Sequence, residues 1–194
     1  MKPKLKLIGL AGTNGSGKDT VGRILVEKYG YLFISITELL RDEAIRRDLP
    51  IERQTLRTIS AQWRRETGRL GFLIDKAVEE YDKLKTKFPN GLVISSLRNP
   101  GEADRIHELD GTVIWVDADP KIRYERIQAN AANRGRPGED HKSFVQFLSE
   151  ENAEMNQSGD AATLDMSGVK SKSDITLNND SNSEELTIKV DNLF

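Results

Sequence analysis

The run Gly12-Thr13-Asn14-Gly15-Ser16-Gly17-Lys18-Asp19-Thr20 combines glycines, a lysine and a hydroxyl at a spacing suited to holding phosphate. Glycines let a backbone curl around phosphate oxygens with its N–H groups turned inward. Lys18 stands where its ammonium can reach the outer phosphates, and a helix starting there adds the positive end of its dipole. The competing reading is a plain Gly-rich turn, and the elements on either side decide between the two.

Arginine is the second chemistry-bearing residue type. A guanidinium is always charged and offers paired donors to phosphate oxygens. Arg41 follows a short apolar run, and Arg98 follows another. Arg53, Arg57 and Arg64 fall on one side of a helix, away from a Leu56/Ile59/Trp63 stripe. Arg53 and Arg57 read equally well as phosphate ligands or as a solvated basic face. Arg123, Arg126, Arg134 and Arg136 lead into the Gly/Pro-bounded turn Asn133-Arg134-Gly135-Arg136-Pro137-Gly138. Basic residues on a mobile flap suit phosphoryl transfer, because the transition state spreads negative charge and closure excludes water. His107 and His141 show no ligand spacing and read as surface residues.

The elements that must position these groups alternate. Strands are predicted at Lys4–Leu10, Tyr31–Ser35, Leu92–Ser95, Thr112–Val116 and Asp174–Asn178. Runs such as Val113-Ile114-Trp115-Val116 suit strands buried on both faces, hence a parallel sheet covered by helices. Helices are predicted at 18–29, 37–47, 52–66, 70–86, 120 to about 133, from Asp140 or Ser143 to about Met155, and 184–193, the last with a strand as its alternative. Asp119-Pro120 is a strong helix start, and Gly30 a stop. The 55 or so residues between the second and third strands exceed a simple crossover and read as an all-helical lobe. The segment 157–173, rich in Ser, Asp, Gly and Lys, reads as a loop without chemistry.

The whole chain bounds the possibilities. Its 194 residues fit one domain. Hydrophobic residues make up 37% and charged residues 31%, a globular balance, and no apolar run approaches the roughly 20 residues of a spanning helix. The start, Met1-Lys2-Pro3-Lys4, reads as the lead into a first strand rather than as a signal peptide. Zero Cys removes disulfides and thiolate chemistry, which makes a cytoplasmic setting the expectation. A net charge of −2 argues against nucleic-acid or membrane partners, so any anion recognition is local. No Asn-Lys-x-Asp motif supports a GTPase.

Gly-Ser-Gly-Lys-Asp-Thr at 15–20 resembles the Gly-Lys-Gly-Thr loop of adenylate kinase and its nucleoside monophosphate kinase relatives, and Gly-Lys-Asp-Thr resembles phage-type deoxynucleoside monophosphate kinases. Ile34-Ser35-Ile36-Thr37-Glu38-Leu39-Leu40-Arg41 resembles the start of their acceptor lobe, with Thr37-Glu38 in place of Gly-Asp. Ser95-Ser96-Leu97-Arg98-Asn99-Pro100-Gly101-Glu102-Ala103 is similar to their Asp-x-x-Arg-x-Pro-x-Glu-Ala segment, which archaeal dephospho-CoA-kinase-like proteins share.

The resemblance implies a three-layer fold with a five-stranded parallel sheet in the order 2-3-1-4-5. It implies a core of 1–35 and 88–194, a helical acceptor-binding insert at 36–87 and a lid at about 127–142. It implies ATP held by Gly12 to Thr20, with Mg2+ near Thr20 and more weakly Asp19. Lys18, Arg98, Arg126 and Arg134 take catalytic roles, Arg41, Arg64 and Arg98 bind the acceptor, and Glu102 orients Arg98 through a salt bridge. Those relatives carry an acid at the position of Ser95 or Ser96; here Asp19, Asp117 or Glu38 must substitute, or turnover is slow. The expected function is phosphoryl transfer from ATP to a small phosphorylated acceptor, a nucleoside or deoxynucleoside monophosphate, by a monomer or small homo-oligomer. Two alternatives stand: a dephospho-CoA kinase, and a nucleotide-binding protein with little or no turnover.

Overall fold

The computed structural model describes residues 5–131, 142–156 and 159–194. Five strands form one sheet: β1 (Leu7–Ala11), β2 (Leu32–Ser35), β3 (Leu92–Ser95), β4 (Thr112–Asp117) and β5 (Ile175–Asn178). Their order is β2-β3-β1-β4-β5, with every neighbouring pair parallel. This is the order that the sequence led us to expect.

Nine helices are described: α1 (Lys18–Tyr29), α2 (Ile36–Arg46), α3 (Arg53–Thr67), α4 (Phe72–Leu84), α5 (Pro100–Glu108), α6 (Pro120–Ala129), α7 (Phe144–Met155), α8 (Met166–Ser171) and α9 (Ser183–Asp191). The strand period of two sorts the core into two faces. Leu7, Leu92, Ile94, Val113 and Trp115 meet Ile36, Leu40, Ile59, Leu73, Ile74 and Ile106 from α2–α5. Ile8, Leu10, Val93, Ile114 and Val116 meet Val21 and Leu25 of α1 and Leu186 and Val190 of α9. Each such side chain contributes about 1.5–3 kcal/mol when buried. The helical insert therefore shares the core of the sheet's first face.

Two elements escaped the sequence reading. Helix α5 starts at a capping box, in which Asn99 accepts from the Gly101 N–H while Glu102 reaches back to the Asn99 N–H, with Pro100 at the first helical position. Helix α8 lies inside the segment read as a loop. Asp165 caps it by accepting from Gly168 N at 2.8 Å, and Met166 and Val169 are fully buried. The segment before it is ordered by distant groups: Asn99 Nδ2 donates to the carbonyls of Ala161 and Thr163, each at 2.7 Å. A six-residue helix with two apolar contacts leaves no readable period. The final segment is helix, not strand, capped by Asn182.

Candidate active site

The phosphate loop connects β1 to α1 and is shaped by steric exclusion. Gly17 has φ +94, and a Cβ there would lie 2.2 Å from Asn179 Nδ2. Gly12 has φ +145, and a Cβ there would lie 2.3 Å from the Val116 carbonyl oxygen. Only glycine fits both conformation and space. Asn179, just past β5, locks the loop. Its Nδ2 donates to Ser16 O at 2.8 Å, and its own N–H donates to Asp117 O at 2.7 Å. Helix α1 begins at Gly17 with no side-chain cap, which leaves its first N–H groups for a ligand.

A cavity of about 580 Å³ opens over this loop and runs to the helical insert. Asn14, Gly15, Gly17, Lys18, Asp19 and Thr20 line one end, and Arg41, Arg53, Arg57, Arg64 and Arg98 line the other, with Arg126 and Arg23 also on its wall. Of the remaining loop residues, Thr13 and Ser16 are buried, and their hydroxyl oxygens lack a hydrogen-bond partner among the described residues. Arg134 and Arg136 lie outside the described residues, as does most of the expected lid.

Asp19 stands at the C-terminal end of β3. Ser95 Oγ donates to Asp19 Oδ1 at 2.9 Å, and Lys18 Nζ is 3.6 Å from Asp19 Oδ2. A carboxylate thus reaches the end of β3 from α1, although the strand's last residue, Ser95, and Ser96 after it are serines.

The arginines divide by partner. Arg64 is almost fully buried; Nη2 donates to Glu102 Oε1 at 2.5 Å and Nη1 to Ala162 O at 2.9 Å. Glu102 takes the N–H of Arg98 at 2.7 Å and of Asn99 at 3.1 Å. The expectation that Glu102 pairs with the Arg98 guanidinium is therefore corrected: it holds that loop by its backbone. Arg98 Nη1 donates instead to Glu154 Oε2 at 2.8 Å. Arg53 and Arg57 donate to Glu154 Oε1 at 2.9 and 2.5 Å. Burial alone raises the pKa of Glu154, but the charges of Arg98, Arg53 and Arg57 outweigh it and hold the carboxyl at about 2.

Arg41 pairs with Glu38 at 3.0 Å, and its buried Nε has no hydrogen-bond partner among the described residues; the same holds for Nε of Arg57. Arg126 Nη2 donates to Ser181 O at 3.0 Å. Arg123 is buried, donates to Ala118 O and pairs with Glu151, so it braces α6 against α7. His107 joins Asp174 at 3.0 Å, away from the cavity. Asp117 is taken by Lys170 at 2.8 Å. Sequence reasoning missed Glu154, Asn179 and Arg23. Asn178-Asn179-Asp180 after a strand was a visible turn signal, but nothing tied it to residues 12–18.

The chain matches the family described as AAA domain over residues 8–155. It is 38% identical over 147 residues to a UPF0200 protein of Pyrobaculum aerophilum, covering 74% of each chain. It is 30% identical over 157 residues to a shikimate kinase of Gloeobacter violaceus, covering 73% of each. It is 37% identical over 125 residues to a cytidylate kinase of Methanocella arvoryzae, covering 62% of this chain and 61% of that one.

Proposed function

The chain belongs to the AAA-domain family and is a P-loop small-molecule kinase, and from that premise we propose that it transfers the γ-phosphoryl group of ATP to the phosphate of a nucleoside or deoxynucleoside monophosphate. The observation that carries this reading is the charge of the cavity wall opposite the phosphate loop, where Arg41, Arg53, Arg57 and Arg98 converge. The buried, unpartnered Nε atoms of Arg41 and Arg57 call for an anion. A cytidylate kinase among the relatives supports the same acceptor class.

In this reading the loop N–H groups and Lys18 hold the β and γ phosphates, while Arg98, Arg41, Arg57 and Arg53 hold the acceptor. An acceptor phosphate oxygen attacks the γ-phosphorus in line. The new P–O bond forms as the bond to the β-bridging oxygen breaks, and ADP leaves with that electron pair. Lys18 and Arg126 offset the charge on the transferred group; Arg134 does so from the lid in the proposed arrangement of core, acceptor insert and lid. Arg64, tied to Glu102, shapes the acceptor wall rather than donating freely to the ligand. Magnesium neutralises the β and γ oxygens when bound. Among the described residues no group of three or more acidic or His side chains could cage a metal. That fits magnesium, which commonly takes one or two protein groups and completes its shell with phosphate and water. Thr20 and Asp19 are the protein groups at hand, with Ser95 fixing the carboxylate. No described helix is long and apolar enough to cross a membrane, and we take the protein to work in the cytoplasm on small molecules without nucleic acid or membrane.

One assay tests the reading. Protein with ATP and magnesium is offered nucleoside monophosphates, deoxynucleoside monophosphates, dephospho-CoA and shikimate, and ADP release is recorded. The expected result is turnover on a monophosphate. Turnover on dephospho-CoA or shikimate alone overturns the acceptor assignment, and ATP binding with no turnover on any acceptor overturns transfer itself.

A further inference from the structure

We propose that Glu154 is a positioning residue that gathers Arg53, Arg57 and Arg98 into a receptor for a phosphate monoester, which selects dianionic acceptors over carboxylates. The inference rests on the acceptor reading above and deepens it.

The three guanidiniums come from separate stretches of chain. Arg53 and Arg57 sit one turn apart on α3, and Arg98 lies in the loop after β3. Left alone, three like charges within contact of one another repel and turn outward to water. Glu154, in the last turn of α7, supplies the counter-charge at their centre: one carboxylate oxygen accepts from Arg53 and Arg57, the other from Arg98.

The carboxylate stands behind the arginines rather than in their place. The Glu154 side chain is 7% exposed, whereas those of Arg53, Arg57 and Arg98 are 24%, 35% and 25% exposed and line the cavity. Each guanidinium gives one edge to Glu154, and a guanidinium carries more N–H donors than such a contact uses. Arg53 also lies 3.8 Å from Glu150, whose charge Lys142 offsets at 2.5 Å. Apart from that pair, three guanidiniums and one carboxylate leave a net charge of about +2, the complement of a phosphate monoester at about −1.5 to −2 near neutral pH. A carboxylate ligand neutralises only half of it.

A carboxylate lodged among arginines has another reading, that of an occupant which the ligand must displace. The two give opposite signs. Inorganic phosphate and acetate are titrated calorimetrically into the ADP-loaded, magnesium-containing protein, wild type and Glu154→Gln, with ADP affinity measured alongside. We expect wild type to prefer phosphate, and Glu154→Gln to weaken phosphate at least about fivefold while ADP affinity stays within about twofold. Phosphate binding that is unchanged or tighter in Glu154→Gln overturns the proposal, the tighter case favouring the occupant. A joint loss of ADP and phosphate affinity also overturns it, because it marks a general structural role. If Glu154→Gln does not fold, Glu154→Asp, which keeps the charge but shortens the reach, is held to the same criteria. Should wild type bind neither phosphate nor any nucleoside monophosphate, the acceptor reading fails first and this inference with it. If wild type binds phosphate and the variant is unaffected, this inference alone fails.

Discussion

Lys18 and Asp19 are neighbours with opposite charges whose surroundings differ. The Lys18 side chain is 12% exposed at the cavity floor, whereas that of Asp19 is 69% exposed and steadied by Ser95. Replacing Lys18 with Ala removes the cation aimed at the transferred group, and kcat is expected to fall about 100- to 1,000-fold in the ADP-release assay. Ser95→Ala keeps the carboxylate but removes the hydroxyl that orients it, so the magnesium concentration for half-maximal rate is expected to rise several-fold with little change in ATP affinity; Asp19→Asn moves it further. Glu154 offers a pH test. Its carboxyl ordinarily titrates at 4.5 and is held at about 2 in the folded protein. The ion cluster therefore stabilises the fold fully above about 4.5, and this contribution, about 3 kcal/mol, is lost as pH falls through 2. Urea midpoints at pH 6 and pH 3 check the sign: wild type is expected to lose more stability on acidification than Glu154→Gln.

Helices α3 and α5 meet at the buried Arg64–Glu102 pair, which also holds Ala162 in the segment before α8. Such a pair adds little over an apolar replacement, but removing one partner strands a charge. Glu102→Ala is thus expected to cost about 3–5 kcal/mol, seen as a fall of roughly 10 °C in Tm. Arg64→Met with Glu102→Leu recovers only the part due to the stranded charge, because the N–H groups of Arg98 and Asn99 still lose their acceptor. At this scale the sequence was most readable where one local rule sufficed. β3 is a run of Leu, Val and Ile, and α1 is an amphipathic helix that ends in glycine, so their limits at 92–95 and 18–29 match the expectation. The capping signal Asn99-Pro100 was present but passed over, since the segment was weighed for Arg98 alone. Glu154 had no local signal. Its meaning comes from partners 101, 97 and 56 residues away, and that distance makes it invisible to periodicity.

Over the whole molecule the charge is −2, yet the cavity wall carries eight basic side chains against three acidic ones. Attraction for an anionic acceptor is therefore local, because the charge outside that wall is net negative. Raising ionic strength from about 0.05 to 0.5 M shortens the screening length severalfold, so the acceptor KM is expected to rise while kcat holds; initial rates across acceptor concentrations measure both. The buried strands alone pointed to a parallel sheet, and its order was legible only through the resemblance of the phosphate loop and the later segments to the monophosphate kinases. How the far ends of the chain meet was not. Asn179 closes the loop at residues 12–17 through Ser16 O and fills the space that Gly17 leaves. During synthesis the loop leaves the ribosome well before its clasp, which follows 163 residues after Ser16. A nascent chain halted before β5 is thus expected to lack a competent nucleotide site, so nucleotide capture reports that synthesis has passed Asn179 and that this segment has folded back.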